Sequence, residues 1–180
     1  EEIREEARYG GLRAKLLGRL GNARCPLQID VGYGDAVTPG PETAVYPTLL
    51  DDLPAPRLRV YPRATVMAEK LDAIISLGIA NSRMKDYFDL HALAREGKVD
   101  ANVLADAIAA TLTRRATLIP AGDPFGLSAE FALDATKRTQ WSAFLRKNRL
   151  EAPALDVVVA EIRDHVQSPL RQALAQVRRP

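Results

Sequence analysis

Cysteine, histidine and tryptophan are scarce in this 180-residue chain, and each shortage removes a class of chemistry. Cys25 is the one cysteine, so no internal disulfide can form. His91 and His165 are the only imidazoles, which leaves no Cys/His spacing for zinc and no Cys–His pair for nucleophilic attack. Ser76 and Ser82 have no evident base, which sets aside a serine hydrolase. There is no apolar run of membrane-spanning length and no readable signal peptide. An excess of one charge is missing too: 25 basic residues against 23 acidic ones give +2. With 47% hydrophobic and 27% charged residues, the composition is that expected of a soluble, cytoplasmic domain without a membrane partner. Internal repeats and low-complexity tracts are absent.

What is present begins with two alternating stretches. Leu27 to Tyr33 places Leu27, Ile29, Val31 and Tyr33 on one face and Gln28, Asp30 and Gly32 on the other, the period of a half-buried strand. Leu12 to Leu20 alternates likewise, with Arg13, Lys15 and Arg19 opposite Leu12, Ala14, Leu16 and Leu20. The two are expected to pair antiparallel through a turn at Gly21-Asn22. Aspartate is depleted in strands, so Asp30 marks either a solvated face or a ligand site. Arg13 and Lys15 carry the same two readings.

Five prolines punctuate 36–56, which reads as a loop, followed by a short strand at Arg57 to Tyr61. Beyond Thr65 the pattern is helical. Expected helices run from 63 to about 80, from Ser82, over 101–114, over 129–148 with a break, and over 155–166, with a loop at 119–126. Asn81 is expected to close the first of them in a left-handed conformation, and Ser82 to cap the second.

In the first helix, Val66, Met67, Ala73, Ile74 and Leu77 form an apolar arc that contains Lys70, while Glu69 and Asp72 project to the other side. An ammonium on a buried side needs a partner or a route to water. It is either a partly buried ion pair or a phosphate-binding group facing a cleft. In the next helix Asp86 and Asp89 share a side beside Lys85, as a surface pair or as part of a site.

The stretches IDVGYGD (29–35), YPTLLDDLPAP (46–56), YPRATVMAEKLDAIISLGIANSRMKDYFDL (61–90) and KRTQWSAFLRKN (137–148) together resemble the AbiEii/AbiGii toxins of the polymerase-beta-like nucleotidyltransferases. The AEKL lysine and the SRMKDYFDL helix start are the more specific signals. The resemblance implies an α+β, partial nucleotidyltransferase-like fold: a small mixed or antiparallel sheet over 1–61 with its Pro-rich loop, then a helical portion over 62–180. It implies transfer of a nucleotide from an NTP to an acceptor such as tRNA, with Mg2+ or Mn2+ and a cognate antitoxin as partner. By motif, Asp30 would be a metal ligand, Lys70 the phosphate-contacting lysine, Arg83 and Lys85 further nucleotide contacts, and Asp86 with Asp89 the acidic catalytic motif.

One departure is large. The family's first motif, a Gly-Gly-Ser/Thr turn followed by Asp-x-Asp, should precede these stretches, and no Asp-x-Asp occurs in the sequence. Residues 1–11 match the middle of a family member, which implies a fragment, a mis-called start or a pseudogene, and a chain inactive on its own. A non-catalytic nucleotide- or antitoxin-binding module, or a decayed remnant, is the competing expectation. The tail adds Arg114, Arg115, Lys137, Arg138, Arg146, Lys147 and Arg149 near Trp141 and Phe144, a pattern that suits either RNA contact or a helix whose aromatics are core.

Overall fold

The computed structural model describes residues 2–4, 10–120 and 122–177. Most of the 1–11 stretch matched to the family therefore lies outside the described residues. The backbone divides into two compact units, 1–35 and 36–180.

The first unit is an antiparallel sheet of order β1 (Glu2–Arg4), β2 (Gly10–Leu20) and β3 (Ala23–Gly32). The expected hairpin forms, with Gly21 at φ 57°, a left-handed value that glycine adopts without a Cβ clash. Its register sets Leu12 opposite Val31, Ala14 opposite Ile29 and Leu16 opposite Leu27. Directly opposed residues share a face, so the two apolar sets coincide on one side of the ribbon, and that side is exposed.

The second unit opens with a two-stranded antiparallel ribbon, β4 (Glu42–Val45) and β5 (Arg57–Val60). The 36–56 segment was expected to be loop throughout; Glu42–Val45 instead pairs with β5, and its prolines at 39, 41 and 47 fall outside the strand. The helices are α1 (Arg63–Leu77), α2 (Met84–Glu96), α3 (Ala101–Arg115), α4 (Ala129–Leu133), α5 (Ala135–Asn148) and α6 (Leu155–Val177). Two antiparallel sheets and a helical bundle make the chain α+β.

Side-chain caps fix the helix starts. Asp100 accepts from the amides of Asn102 and Val103, Ser128 from Phe131 and Asp134 from Lys137, satisfying amides that the helix leaves open. Asp134 is also the break between α4 and α5. The last helix runs about three turns past the expected Val166, through Pro169. Pro169, Leu170 and Ala173 are buried and extend the stripe of Val158, Val159, Ile162 and Val166, and this burial offsets the roughly 3 kcal/mol that an interior proline costs.

The core gathers Met67, Leu71 and Ile74 of α1, Tyr87 and Leu90 of α2, Leu104, Ile108 and Leu112 of α3, Phe131 of α4 and the α6 stripe. A one-turn 3-10 helix, Phe125–Leu127, wedges into it. Its Gly126 carbonyl accepts from the Tyr87 hydroxyl at 2.9 Å. A Cβ built at Gly126 would stand 2.7 Å from the Ile74 carbonyl oxygen, so only glycine fits.

Candidate functional site

The site is built where α1 meets the start of α2. Lys70 is half-buried, with its side chain 16% exposed, and its Nζ donates to Asp89 Oδ2 at 2.7 Å and Asp86 Oδ1 at 3.3 Å. The ion-pair reading of Lys70 is thus what the geometry contains. Arg83 Nε stands 2.8 Å from Asp86 Oδ2, without the alignment of a hydrogen bond. Lys85 Nζ pairs with Asp89 Oδ2 as its i,i+4 neighbour. Three cations therefore surround two carboxylates, leaving one positive charge in excess. Asp86 is 6% exposed and Asp89 24%, whereas Arg83 and Lys85 are 62% and 71% exposed.

Burial alone would raise the Asp89 pKa, but hydrogen bonds from Lys70 and Lys85 outweigh it and hold the carboxyl below its ordinary value. Asp86 lies in the first turn of α2, where the helix dipole also favours a carboxylate.

The apolar arc of α1 is wider than the sequence indicates. Ala64, Ala68 and Leu71 are buried along with Met67, Ala73 and Ile74, whereas Leu77 in the last turn is 39% exposed. Asp72, expected on the outer side, is 4% exposed. The reason is that α1 packs against α3 as well as α2, and the end of α3 and the residues just after it supply the compensation: Arg115 Nη1 donates to Asp72 Oδ2 at 3.1 Å, and the Thr117 hydroxyl donates to Oδ1. A buried charge persists when it is paired in this way.

The junction between the helices also differs from expectation. Gly78, not Asn81, ends the first helix, with a positive φ of 49° and ψ −126°, while Asn81 has φ −64°. Arg83, not Ser82, is the N-cap residue of α2. Asn81 is fully buried and acts from two positions upstream, its Oδ1 accepting from the Arg83 amide at 2.8 Å. Its carbonyl accepts from Lys137 Nζ at 2.9 Å, and Lys137 is itself buried, its ammonium 5.5 Å from the centre of the Phe131 ring. The sequence sets Lys137 among the basic residues of the tail, but its spacing from Trp141 and Phe144, at i, i+4 and i+7, marks the inner side of the helix, as the apolar arc does for Lys70.

Trp141 and Phe144 turn inward. Trp141 is 3% exposed and donates from Nε1 to the Pro153 carbonyl at 3.0 Å, and its ring stacks on Phe144, which in turn meets Phe88. The aromatics are core and offer no stacking platform for bases.

Asp30 lies in the first unit, directly across from Arg13. Arg13 grips both of its oxygens, Nε to Oδ1 at 2.7 Å and Nη2 to Oδ2 at 3.0 Å, and Gln28 adds a third bond at 3.1 Å. The Arg13 guanidinium lowers the Asp30 pKa. Lys15 sits across from Gln28 on the same face.

Whether these groups suit a divalent cation follows from the donors. Magnesium takes open carboxylate oxygens. Here both Asp30 oxygens are occupied, Asp86 and Asp89 are already neutralised by lysine and arginine, and no cluster of three or more acidic, His or Cys side chains occurs among the described residues. Within each unit taken by itself, then, the carboxylate oxygens of Asp30, and those of the Asp86–Asp89 pair, face basic side chains.

No helix among the described residues is long and apolar enough to cross a membrane. No curated protein and no solved structure matches the chain. Over residues 1–175, however, the sequence matches the family described as nucleotidyl transferase AbiEii toxin, type IV TA system. With nearly its whole length covered, and with the AEKL lysine and the SRMKDYFDL acidic pair joined in one cluster, the chain belongs to the AbiEii nucleotidyl transferase toxin family of type IV toxin-antitoxin systems.

Proposed function

We propose that the Lys70, Arg83 and Lys85 cluster receives the phosphates of a nucleoside triphosphate, and that the protein takes part in moving its nucleotidyl group to an RNA acceptor such as tRNA in the cytoplasm. The observation that carries this reading is the excess cation at the start of α2: two carboxylates hold three basic groups, and the outer two are mostly exposed. A triphosphate can draw Arg83 and Lys85 outward while Lys70 stays anchored between α1 and α2. Lysine serves as a compact charge and arginine as a two-pronged donor to phosphate oxygens.

In the transfer, an acceptor hydroxyl oxygen bonds to the α-phosphorus and the bond from that phosphorus to the bridging oxygen breaks. Pyrophosphate leaves, and the hydroxyl proton passes to water. The role assigned to these residues is positioning and charge neutralisation, the main contributions a protein makes to phosphoryl chemistry. Membership of a toxin-antitoxin family implies a cognate antitoxin as partner.

A second reading has its own support. With every carboxylate of the candidate set already paired, the cluster is also suited to binding nucleotide, or the antitoxin, without transfer. Calorimetric titration with each nucleoside triphosphate, followed by label transfer from α-labelled triphosphates to bulk tRNA with magnesium present, separates the two. Transfer that Lys70→Met abolishes supports the enzyme. Nucleotide binding that needs Lys70 but yields no transfer supports the nucleotide-binding module, and absence of nucleotide binding overturns both the enzyme and the nucleotide-binding module.

A further inference from the structure

We propose that the outer face of α5 is a binding surface for the phosphate backbone of a polynucleotide strand. Residues 135–149 hold five of the chain's 25 basic residues and none of its 23 acidic ones, in a protein whose net charge is only +2. The helix is sharply two-sided. Lys137 and Trp141 are buried and Phe144 half-buried, whereas Arg138, Ser142 and Arg146 follow one another at i, i+4 and i+8 on an exposed side, and Arg149, just past the helix end, is exposed as well.

Lys137 is held by the Asn81 carbonyl, but the other four charges have no acidic partner among the described residues. Among the described residues no carboxylate forms an ion pair with Arg138, Arg146, Lys147 or Arg149, although ion pairs are common elsewhere in the unit. The hydroxyls of Thr139 and Ser142 donate back to the helix carbonyls of Ala135 and Arg138. A shallow depression of about 430 Å³ runs along the strip, lined by Arg138, Ser142 and Arg146.

Helix stability accounts for only part of the pattern. Arg146 and Lys147 lie in the last turn, where the dipole favours cations, but Arg138 lies near the helix start, where it opposes them. Arg149 occupies a left-handed position, φ 54°, that glycine or asparagine fills at lower cost. At 1.5 Å per residue the strip spans roughly 12 Å from Arg138 to Arg146 and roughly 16 Å to Arg149. That reach covers several phosphates of a strand advancing about 3.4 Å per nucleotide.

The surface is also tied to the candidate site. Lys137, in the first turn of α5, is bonded to Asn81, which orients the Arg83 amide at the start of α2. The inner side of α5 is thereby anchored to the segment that begins α2. As the acceptor surface of that site the inference rests on the transfer reading above, but strand binding is measured without nucleotide and so fails or succeeds separately.

The test is fluorescence anisotropy of labelled single-stranded RNA, tRNA and single-stranded DNA against the whole chain, over a series of salt concentrations. The comparison is between the parent, an Arg138→Gln/Arg146→Gln/Arg149→Gln variant, and an Arg57→Gln/Arg59→Gln control on β5. All of these side chains are exposed, and thermal unfolding verifies that each variant folds. The expected result is affinity reduced about tenfold or more in the α5 variant, with a log–log salt slope smaller by about 2, since three phosphate contacts contribute about 0.7 each on a single strand. The β5 control should bind like the parent. Equal affinity for RNA and DNA supports reading of the backbone alone, and a preference for RNA supports an RNA acceptor. The proposal is overturned by absence of binding to every strand, by an unchanged slope in the α5 variant, or by equal losses in the β5 control.

Discussion

Lys70 and Asp89 meet across the α1–α2 interface with Nζ 2.7 Å from Oδ2, and this contact makes the bundle sensitive to acid. Burial works against the Asp89 charge, and the bonds from Lys70 and Lys85 more than offset it, so the folded pKa lies below the ordinary value of about 3.9. A depressed carboxylate contributes stability above its unfolded pKa and loses that contribution as pH falls through the folded value. Circular dichroism against pH should therefore show the Asp89 contribution intact above about pH 4 and fading below it. In Lys70→Met the burial effect is less opposed, and the acid transition should move to higher pH. An unchanged transition would mean that Lys85 alone holds the carboxylate.

Lys137→Met keeps the length of the side chain but leaves the buried Asn81 carbonyl without its donor. Urea unfolding should register a loss of about 1–3 kcal/mol. Equal stability would show that the ammonium's own desolvation cancels its hydrogen bond.

Gly126→Ala forces a methyl against the Ile74 carbonyl and the Tyr87 hydroxyl, at 2.7 and 3.0 Å before any relaxation. The expected cost is about 1–3 kcal/mol, a lowering of roughly 2–4 °C in Tm for each kcal/mol at this size. Gly122→Ala, where an added Cβ meets nothing within 4 Å, is the control and should unfold close to the parent.

Leu71→Ala and Ile74→Ala each open a cavity in the core, since the parent side chains are 1% and 0% exposed. Each should cost about 2–5 kcal/mol in chemical denaturation. Leu20→Ala, on a residue 85% exposed at the hairpin tip, should stay within about 0.5 kcal/mol of the parent. A large loss at Leu20 would instead indicate that the apolar ribbon face is covered in solution.

Local pattern carried the elements a long way. The 3.6-residue period located α1 and α3, and strict alternation with a Gly-Asn turn produced the β2–β3 hairpin in its observed pairing. It failed where contributions from distant residues compete. The pattern suggested an end for α6 near Val166, but the burial of Leu170 and Ala173 carries the helix on through Pro169. Asp72 reads as a solvent-facing charge because its partners Arg115 and Thr117 are more than 40 residues away.

By itself the sequence determined that this is an α+β protein of the AbiEii nucleotidyl transferase toxin family, and it singled out Lys70, Arg83, Lys85, Asp86 and Asp89 as a group. Only the tertiary structure decided which of these groups touch. It joined Lys70 to both aspartates, tied Asp30 to Arg13, and sent Lys137 inward while Arg138 faces out. The physical reason is that periodicity fixes the side of a helix or strand on which a residue lies. The partner that compensates a buried charge comes from another element, and packing alone brings it within reach.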